Sequence, residues 1–334
     1  MKISRKYTVT LAACAASLLA LTGCSSADSG DADGDDVTIG IVELNLSNPF
    51  FSTLEKSTEA AALEQGWKVT KAEAKVPGDS ATQVTAIENM INMGVKAIVL
   101  DPANATALVD VVQKARDAGI LVVTVNAALD PIDAADATFA TDNVEAGKLI
   151  GAWAKAAGPK DPKIAMLDFD LSDGPAGGRH DGFLEGFGID DSSDLISATA
   201  LTEGTIETGQ REMEKVLSAH SDVNVVYAIN EPTAHGAATA ISSLGSKDVT
   251  LVAVDGACSG VQDVSDGIVG ATAMQFPSRM GEQAVEAIAA YLDDGTKPPA
   301  GLNNSGVELI TDTPVDGMES QDSAWGLENC WGDK

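Results

Sequence analysis

The chain has 334 residues, with 21 Lys and Arg against 50 Asp and Glu, a formal net charge of −29 at pH 7. A surface for nucleic-acid phosphates or anionic lipid headgroups needs the opposite sign, so neither is expected as an electrostatic partner. A chain this long exceeds what one hydrophobic core usually supports, and two domains are expected.

Lys2, Arg5 and Lys6 form a basic start, and Tyr7 to Leu21 is apolar or small. That run is about 15 residues, short of the roughly 20 that span a bilayer. Leu21-Thr22-Gly23-Cys24 follows and resembles a bacterial lipobox, whose cysteine takes a diacylglycerol before cleavage makes it the N-terminus. Residues 1–23 read as a lipoprotein signal peptide and Cys24 as the lipidation site. Two acyl chains hold lastingly, at about 0.8 kcal/mol per buried methylene. An ordinary signal peptide with an incidental cysteine is the alternative. Residues 24–36 are small, polar and acidic, an expected disordered linker with nothing to bury. The 311 residues after the signal carry 18 Lys and Arg against 50 Asp and Glu, a charge of −32. The expected location is extracytoplasmic, on the membrane through Cys24.

From Val37 the chain alternates strand and helix. Val37–Val42 is a β-branched strand, and helical spacing runs from Pro49 to Gln65, ending at Gly66. Trp67–Ala72, Ala97–Leu100 and Ile120–Val125 are further strands. Ser80–Met93 and Ala103–Ala118 are helices between them, closed by Gly94 and Gly119. After Asp142-Asn143 the rhythm restarts, with strands expected at 163–168, 195–200, 223–228, 249–254 and 270–274. Helices are expected at 143–157, 177–187, 206–219, 232–244 and 278–293. Short continuous apolar strands alternating with helices indicate parallel sheets covered on both faces. The fold class is therefore α/β, with two doubly wound parallel-sheet lobes. Once Cys14 leaves with the signal and Cys24 is lipidated, Cys258 and Cys330 remain, to pair or to stay separate thiols. A bridge would close about 73 residues, worth roughly 4 kcal/mol in the chain-entropy model.

Ligands of such sheets bind beyond the carboxyl ends of the strands. Asn45 to Phe51, Asp101, Asn126, Asp142, Asn230, Asp255 and Gln275 all fall there. A sugar needs ionised or amide groups for hydroxyls that both donate and accept, and flat aromatic walls for its C–H faces. Asp255 accepts from two hydroxyls, and the Arg179 fork donates to two oxygens. Asn126, Asn230 and Gln275 each donate and accept, while Phe50 and Phe51 supply walls. Asn48 before Pro49 is also a good helix cap, and adjacent phenylalanines on a helix cannot both face one cleft. Asn230-Glu231 and Asp255-Gly256 also fit turns.

The stretches Ser47-Asn48-Pro49-Phe50-Phe51, Thr141-Asp142-Asn143, Arg179-His180-Asp181-Gly182-Phe183, Ala228-Ile229-Asn230-Glu231, Val254-Asp255-Gly256 and Ala271-Thr272-Ala273-Met274-Gln275 resemble the ribose-type periplasmic sugar-binding proteins of ABC importers, in order and spacing, over residues 37–310. The resemblance implies the type I periplasmic binding fold, with lobes of residues 37–141 plus 276–305 and 142–275 plus 306–334. Three crossings are implied, near Thr141-Asp142, Gln275-Phe276 and Ser305-Gly306. It also implies a sugar site of Asn48, Phe50, Phe51, Arg179, Asn230, Asp255 and Gln275, a monosaccharide ligand, an ABC permease partner and a monomer. Asn126-Ala127 stands where ribose binders carry Asp-Arg, and Gly204-Thr205 where they carry a stacking aromatic, which argues against ribose itself. Asp255 to Val261 and the tail Gly326 to Gly332 resemble the fructose-binding branch, which points to fructose or a similar hexose or pentose and supports a Cys258–Cys330 bridge.

Three rival readings stand beside this one. A carbohydrate-acting enzyme needs facing carboxylates, and the sequence has no Gly-x-Ser-x-Gly elbow, metal-ligand cluster or phosphate-cradling glycine loop. Two cysteines and His180, His220 and His235 are too few for a metal site, and Asp168 to Gly174 misses the register of a calcium loop; no metal and no cofactor are expected. A DNA-binding regulator of this fold needs a basic helix-turn-helix where this chain has a leader. A receptor that hands sugar to a signalling partner is the alternative to import.

Overall fold

The computed structural model describes residues 37–46, 48–75, 78–172, 174–245 and 248–332. The leader, Cys24 and the acidic linker fall outside them, as do Ser47 and Asp173.

Two six-stranded sheets carry the structure. The first comprises β1 (Thr38–Glu43), β2 (Lys68–Glu73), β3 (Ala97–Leu100), β4 (Leu121–Val125), β5 (Ala137–Ala140) and β11 (Leu302–Asn304). Its order is β11-β5-β4-β3-β1-β2, with every neighbouring pair parallel. The second contains β6 (Ile164–Asp168), β7 (Ile196–Leu201), β8 (Val225–Ala228), β9 (Thr250–Asp255), β10 (Ala271–Gln275) and β12 (Val307–Ile310). Its order is β12-β10-β9-β8-β6-β7, parallel except for the β10–β12 pair. These are the two doubly wound α/β lobes that the alternation predicted.

Side chains alternate across each sheet with period two, so every inner strand feeds two cores. In the first sheet Ile39, Val99 and Val123 pack under α1 (Pro49–Glu64) and α9 (Pro277–Asp294). Val42, Ile98, Leu100 and Val122 pack against α2 (Ser80–Met93) and α3 (Val109–Asp117). In the second, Met166, Val225, Tyr227 and Val252 face α4 (Asn143–Ala157) and α5 (Gly174–Phe187). Ala165, Leu167, Val226 and Ala253 face α6 (Ile206–Ala219), α7 (Glu231–Ser243) and α8 (Cys258–Ser265). The chain passes between the sheets at 140–143, 275–277 and 304–307.

Helix ends follow local chemistry. The Asn48 side chain caps α1 by accepting from the Phe50 N–H, and Gly94 closes α2 in the left-handed region. The helix expected from Ala103 begins only at Val109. Asn104 Oδ1 accepts the N–H groups of Thr106 and Ala107, which holds residues 104–107 in a turn instead. Conversely α5 starts at Gly174, before the expected 177, because Pro175 is acceptable in a first turn. Short β5, β11 and β12, α8 and α10 (Ser323–Asn329) were not separately expected. Cys258 and Cys330 are joined as a disulfide, their Cα atoms 4.9 Å apart.

Candidate functional site

Three of the expected site residues, Arg179, Asp255 and Gln275, meet at the carboxyl ends of β9 and β10. Arg179 on α5 lies across this edge and is 8% exposed. Its Nε donates to Asn143 Oδ1 at 2.9 Å and its Nη1 to the Ile229 carbonyl at 3.0 Å. The same Nη1 lies 3.5 Å from Asp255 Oδ1, which also accepts from Gln275 Nε2 at 3.1 Å. Asp255 and Gln275 are buried, and Gln275 Oε1 has no hydrogen-bond partner among the described residues. Burial raises the Asp255 pKa, against the opposing pull of Arg179 and the hydrogen bonds of Glu231 and Gln275.

Arg179 is aimed by glycines. Helices α4 and α5 touch through Gly147, Gly151, Gly182 and Gly186. A Cβ at Gly147 would strike the Arg179 carbonyl, and one at Gly182 the Val144 carbonyl. Only backbone-to-backbone contact of this kind lets α5 come close enough for Arg179 to reach Asn143.

Asn230 is committed largely to structure. Its Oδ1 caps α7 through the Thr233 N–H at 3.0 Å, and its Nδ2 donates to the Gly204 carbonyl at 3.0 Å. The neighbouring Thr205 caps α6 in a reciprocal box with Thr208. The Gly204-Thr205 segment is thus a tight helix entrance tied to Asn230, with no aromatic.

The first lobe brings a separate cluster to its own strand ends. Asn126 adopts a left-handed φ of 61°, and its Nδ2 sits 3.2 Å from both carboxylate oxygens of buried Asp101. Such a φ is tolerated by Asn far better than by larger residues. Gln83 fixes the same turn, donating to the Asp101 carbonyl and accepting from the Ala103 N–H. The expected aromatic walls separate. Phe50 is 5% exposed in the core and meets Trp331 edge-on at 5.4 Å, whereas Phe51 is only partly buried.

Three polar groups that sequence reasoning did not assign complete the picture. Glu231 accepts from the Gly256 N–H at 2.8 Å, the Ala257 N–H at 2.9 Å and the Thr272 hydroxyl at 2.8 Å. Its own N–H points at Asp255 Oδ2, 3.4 Å away. Burial first, then the Asp255 charge, raises its pKa. Asn143 orients Arg179. Glu231 and Asn143 both stood inside recognised motifs, where a polar residue facing inward from a cap looks the same as one facing out. Glu43 ends β1, fully buried, with neither carboxyl oxygen partnered among the described residues. Burial and the nearby Asp101 charge raise its pKa. An acid closing an apolar strand was its one available signal.

The arrangement is a polar lining of amides, carboxyls and one guanidinium, suited to binding hydroxyls. No group of three or more His, Cys, Asp or Glu among the described residues is placed to hold a metal ion.

Comparison with known proteins gives this geometry a context. The model of the periplasmic binding protein domain family matches residues 39–297. The ribose import binding protein RbsB of Bacillus subtilis is 30% identical over 277 residues, covering 81% of this chain and 88% of that protein. The crystal structure of a galactofuranose binding protein aligns with a TM-score of 0.76 and 25% identity, covering 87% of this chain and 97% of that one. The arabinose ABC transporter binding component of Shewanella sp. ANA-3, solved with α- and β-L-arabinofuranose, aligns at 0.73 and 26%, covering 82% and 92%.

Proposed function

The chain belongs to the periplasmic binding protein family, and within it we propose that this protein captures a monosaccharide outside the cytoplasm and delivers it to an ABC permease. The proposed ligand is D-fructose or a similar hexose or pentose in its furanose form. The observation that carries this reading is the buried Arg179–Asp255–Gln275 network at the strand ends. Arg179 spends Nε and Nη1 on the protein and turns its remaining N–H groups to the sugar. Asp255 and Gln275 offer Oδ2 and Oε1 to ligand hydroxyls. Asn126 and Asp101 read further hydroxyls from the other lobe, Phe51 supplies the C–H wall, and Asn48 and Phe50 hold that wall in place. A sugar that contacts both lobes stabilises the closed arrangement, and only such a ligand does so.

The furanose preference draws on the relatives: the two solved structures above are of a galactofuranose binder and of a protein with bound arabinofuranose. A five-membered ring has no broad flat face for two stacking aromatics, and Gly204-Thr205 offers none here. Export and attachment through Cys24 belong to the same proposal, supported by the lipobox and the disulfide of Cys258 and Cys330. Metabolic labelling with a fatty-acid analogue should mark the wild-type protein and not Cys24→Ala; label in both would remove the anchor.

The test of capture is calorimetric titration with D-fructose, D-ribose, L-arabinose and D-galactose. At least one should bind the wild type, and Asp255→Asn should weaken it at least tenfold while the thermal midpoint moves little. An Asp255→Asn variant that binds within threefold of wild type would put the site elsewhere.

A further inference from the structure

The C-terminal tail belongs to the second lobe through most of its contacts. Helix α10 packs on α8, where a Cβ at Gly326 would meet Val261. The Cys258–Cys330 disulfide fixes the end of α10 to the start of α8. One residue later, Trp331 pairs in parallel with Ala257, and its carbonyl accepts the Cys258 N–H at 2.9 Å.

The Trp331 side chain leaves that lobe. Its indole is 8% exposed and joins the first-lobe core that holds Phe50, Leu54 and Met280. The ring meets Phe50 edge-on, with centroids 5.4 Å apart and planes at 79°. Aromatic pairs of this geometry contribute beyond the area they bury. Gly332 then lies against Pro49, the first residue of α1. Meanwhile Trp331 Nε1 donates to the Gln275 carbonyl at 3.0 Å, in a buried setting. Gln275 ends β10 where the chain crosses to α9, and its side chain holds Asp255. One indole therefore touches the crossing, the helix that bears Phe51, and the residue beside the candidate carboxylate.

We propose that Trp331, held in place by the Cys258–Cys330 disulfide, is a positioning residue that ties the two lobes together and sets the alignment of α1 with Gln275 when sugar binds. Helix α1 rests on α9, just past the β10 crossing, through Leu54, Ser57 and Thr58, further along than its N-terminal turn. Beyond the three covalent crossings, Trp331 supplies a fourth, noncovalent tie at that turn, and the disulfide removes the freedom the short tail would otherwise keep. The effect on sugar affinity rests on the capture reading above; the tie itself does not.

Hydrogen–deuterium exchange on the sugar-free full chain separates the two. Trp331→Ala should speed exchange of the α1 amides in residues 50–55 by at least tenfold. The β8 amides in residues 225–228, inside the second lobe, should keep their rates, which shows that the variant is folded. The Cys258→Ser/Cys330→Ser double variant should do the same to α1 more weakly. Trp331→Phe, which keeps a ring for Phe50 but loses the indole N–H, should restore most of the α1 protection. With D-fructose as titrant, Trp331→Ala should weaken binding about tenfold and Trp331→Phe by less. Unchanged α1 exchange in Trp331→Ala overturns the proposal, as does equal loosening in Trp331→Ala and Trp331→Phe. Wild type that fails to bind D-fructose counts against the ligand reading alone, and the exchange result still decides the tie.

Discussion

Replacing Glu231 by glutamine isolates the clamp behind the candidate carboxylate. Glu231 collects three donors on a buried carboxyl: the Gly256 N–H at 2.8 Å and the Thr272 hydroxyl at 2.8 Å on Oε1, and the Ala257 N–H at 2.9 Å on Oε2. A glutamine can keep its carbonyl oxygen in the Oε1 position and retain two of them. Its amide nitrogen then faces the Ala257 N–H, donor against donor. Near pH 5, where the raised pKa keeps the carboxyl protonated, the loss is one neutral hydrogen bond plus a poorly solvated N–H, about 1–3 kcal/mol. Opposing this, the wild-type carboxyl sits in a site where burial and Asp255 raise its pKa. A carboxyl whose folded pKa lies above its unfolded value binds more protons in the native state, so its contribution to stability falls as pH rises from the ordinary carboxylate range. Glutamine lacks that penalty. The variant should therefore be less stable by about 2 kcal/mol near pH 5, with the gap narrowing toward pH 8. Urea unfolding of both proteins, with the disulfide intact, measures this at each pH. A gap that widens with pH would refute burial as the dominant influence, and no gap at all would show that Glu231 clamps nothing.

His180 is held between Asp168 and Asp191, each 2.9 Å from a ring nitrogen, and the Asp168 hydrogen bond raises its pKa to about 9. Its stabilising contribution is complete below the unfolded value near 6.5 and is lost as pH rises through about 9. Unfolding midpoints should thus drop between pH 7 and 10 in wild type, and His180→Gln should flatten that limb; an unchanged slope would exclude the histidine. Gly182→Ala drives a methyl into the Val144 carbonyl and must part α4 from α5. It should cost about 1–3 kcal/mol by denaturation and weaken sugar binding by displacing Arg179, and normal stability would show that the helices yield freely.

How much the sequence disclosed follows from which forces act locally. The alternation of apolar strands with helices was legible because burial on both faces demands it, and Asn48 and Gly94 marked helix ends through backbone chemistry that a few residues determine. Asp255, Arg179 and Gln275 were legible as site candidates because each stands at a strand end or in a recognised stretch. What escaped was set either by a side chain competing locally for backbone groups or by partners far along the chain. Asn104 turned an expected helical start into a loop through two side-chain hydrogen bonds. The strands β11 and β12 are only three and four residues long and gain their pairing from β5 and β10.

Phe50 and Phe51 show the limit most plainly. Adjacent positions on a helix point about 100° apart, so one ring had to leave the cleft, but periodicity alone does not name it. The choice is made by Trp331, 281 positions away, which gives Phe50 an edge-on partner and leaves Phe51 the more open side. Glu231 escaped for a related reason. Behind an Asn cap it looks like any acid in a first turn, where the helix dipole welcomes negative charge. Its carboxyl instead turns inward to hold the backbone after Asp255, and that orientation depends on Gly260, where a Cβ would occupy the space of the carboxyl itself. A glycine on α8 thus makes room for the acid on α7 that positions the carboxylate on β9. Chains of this kind run through space rather than along sequence, so the strand ends announce a site while its second layer emerges only when the lobes are folded.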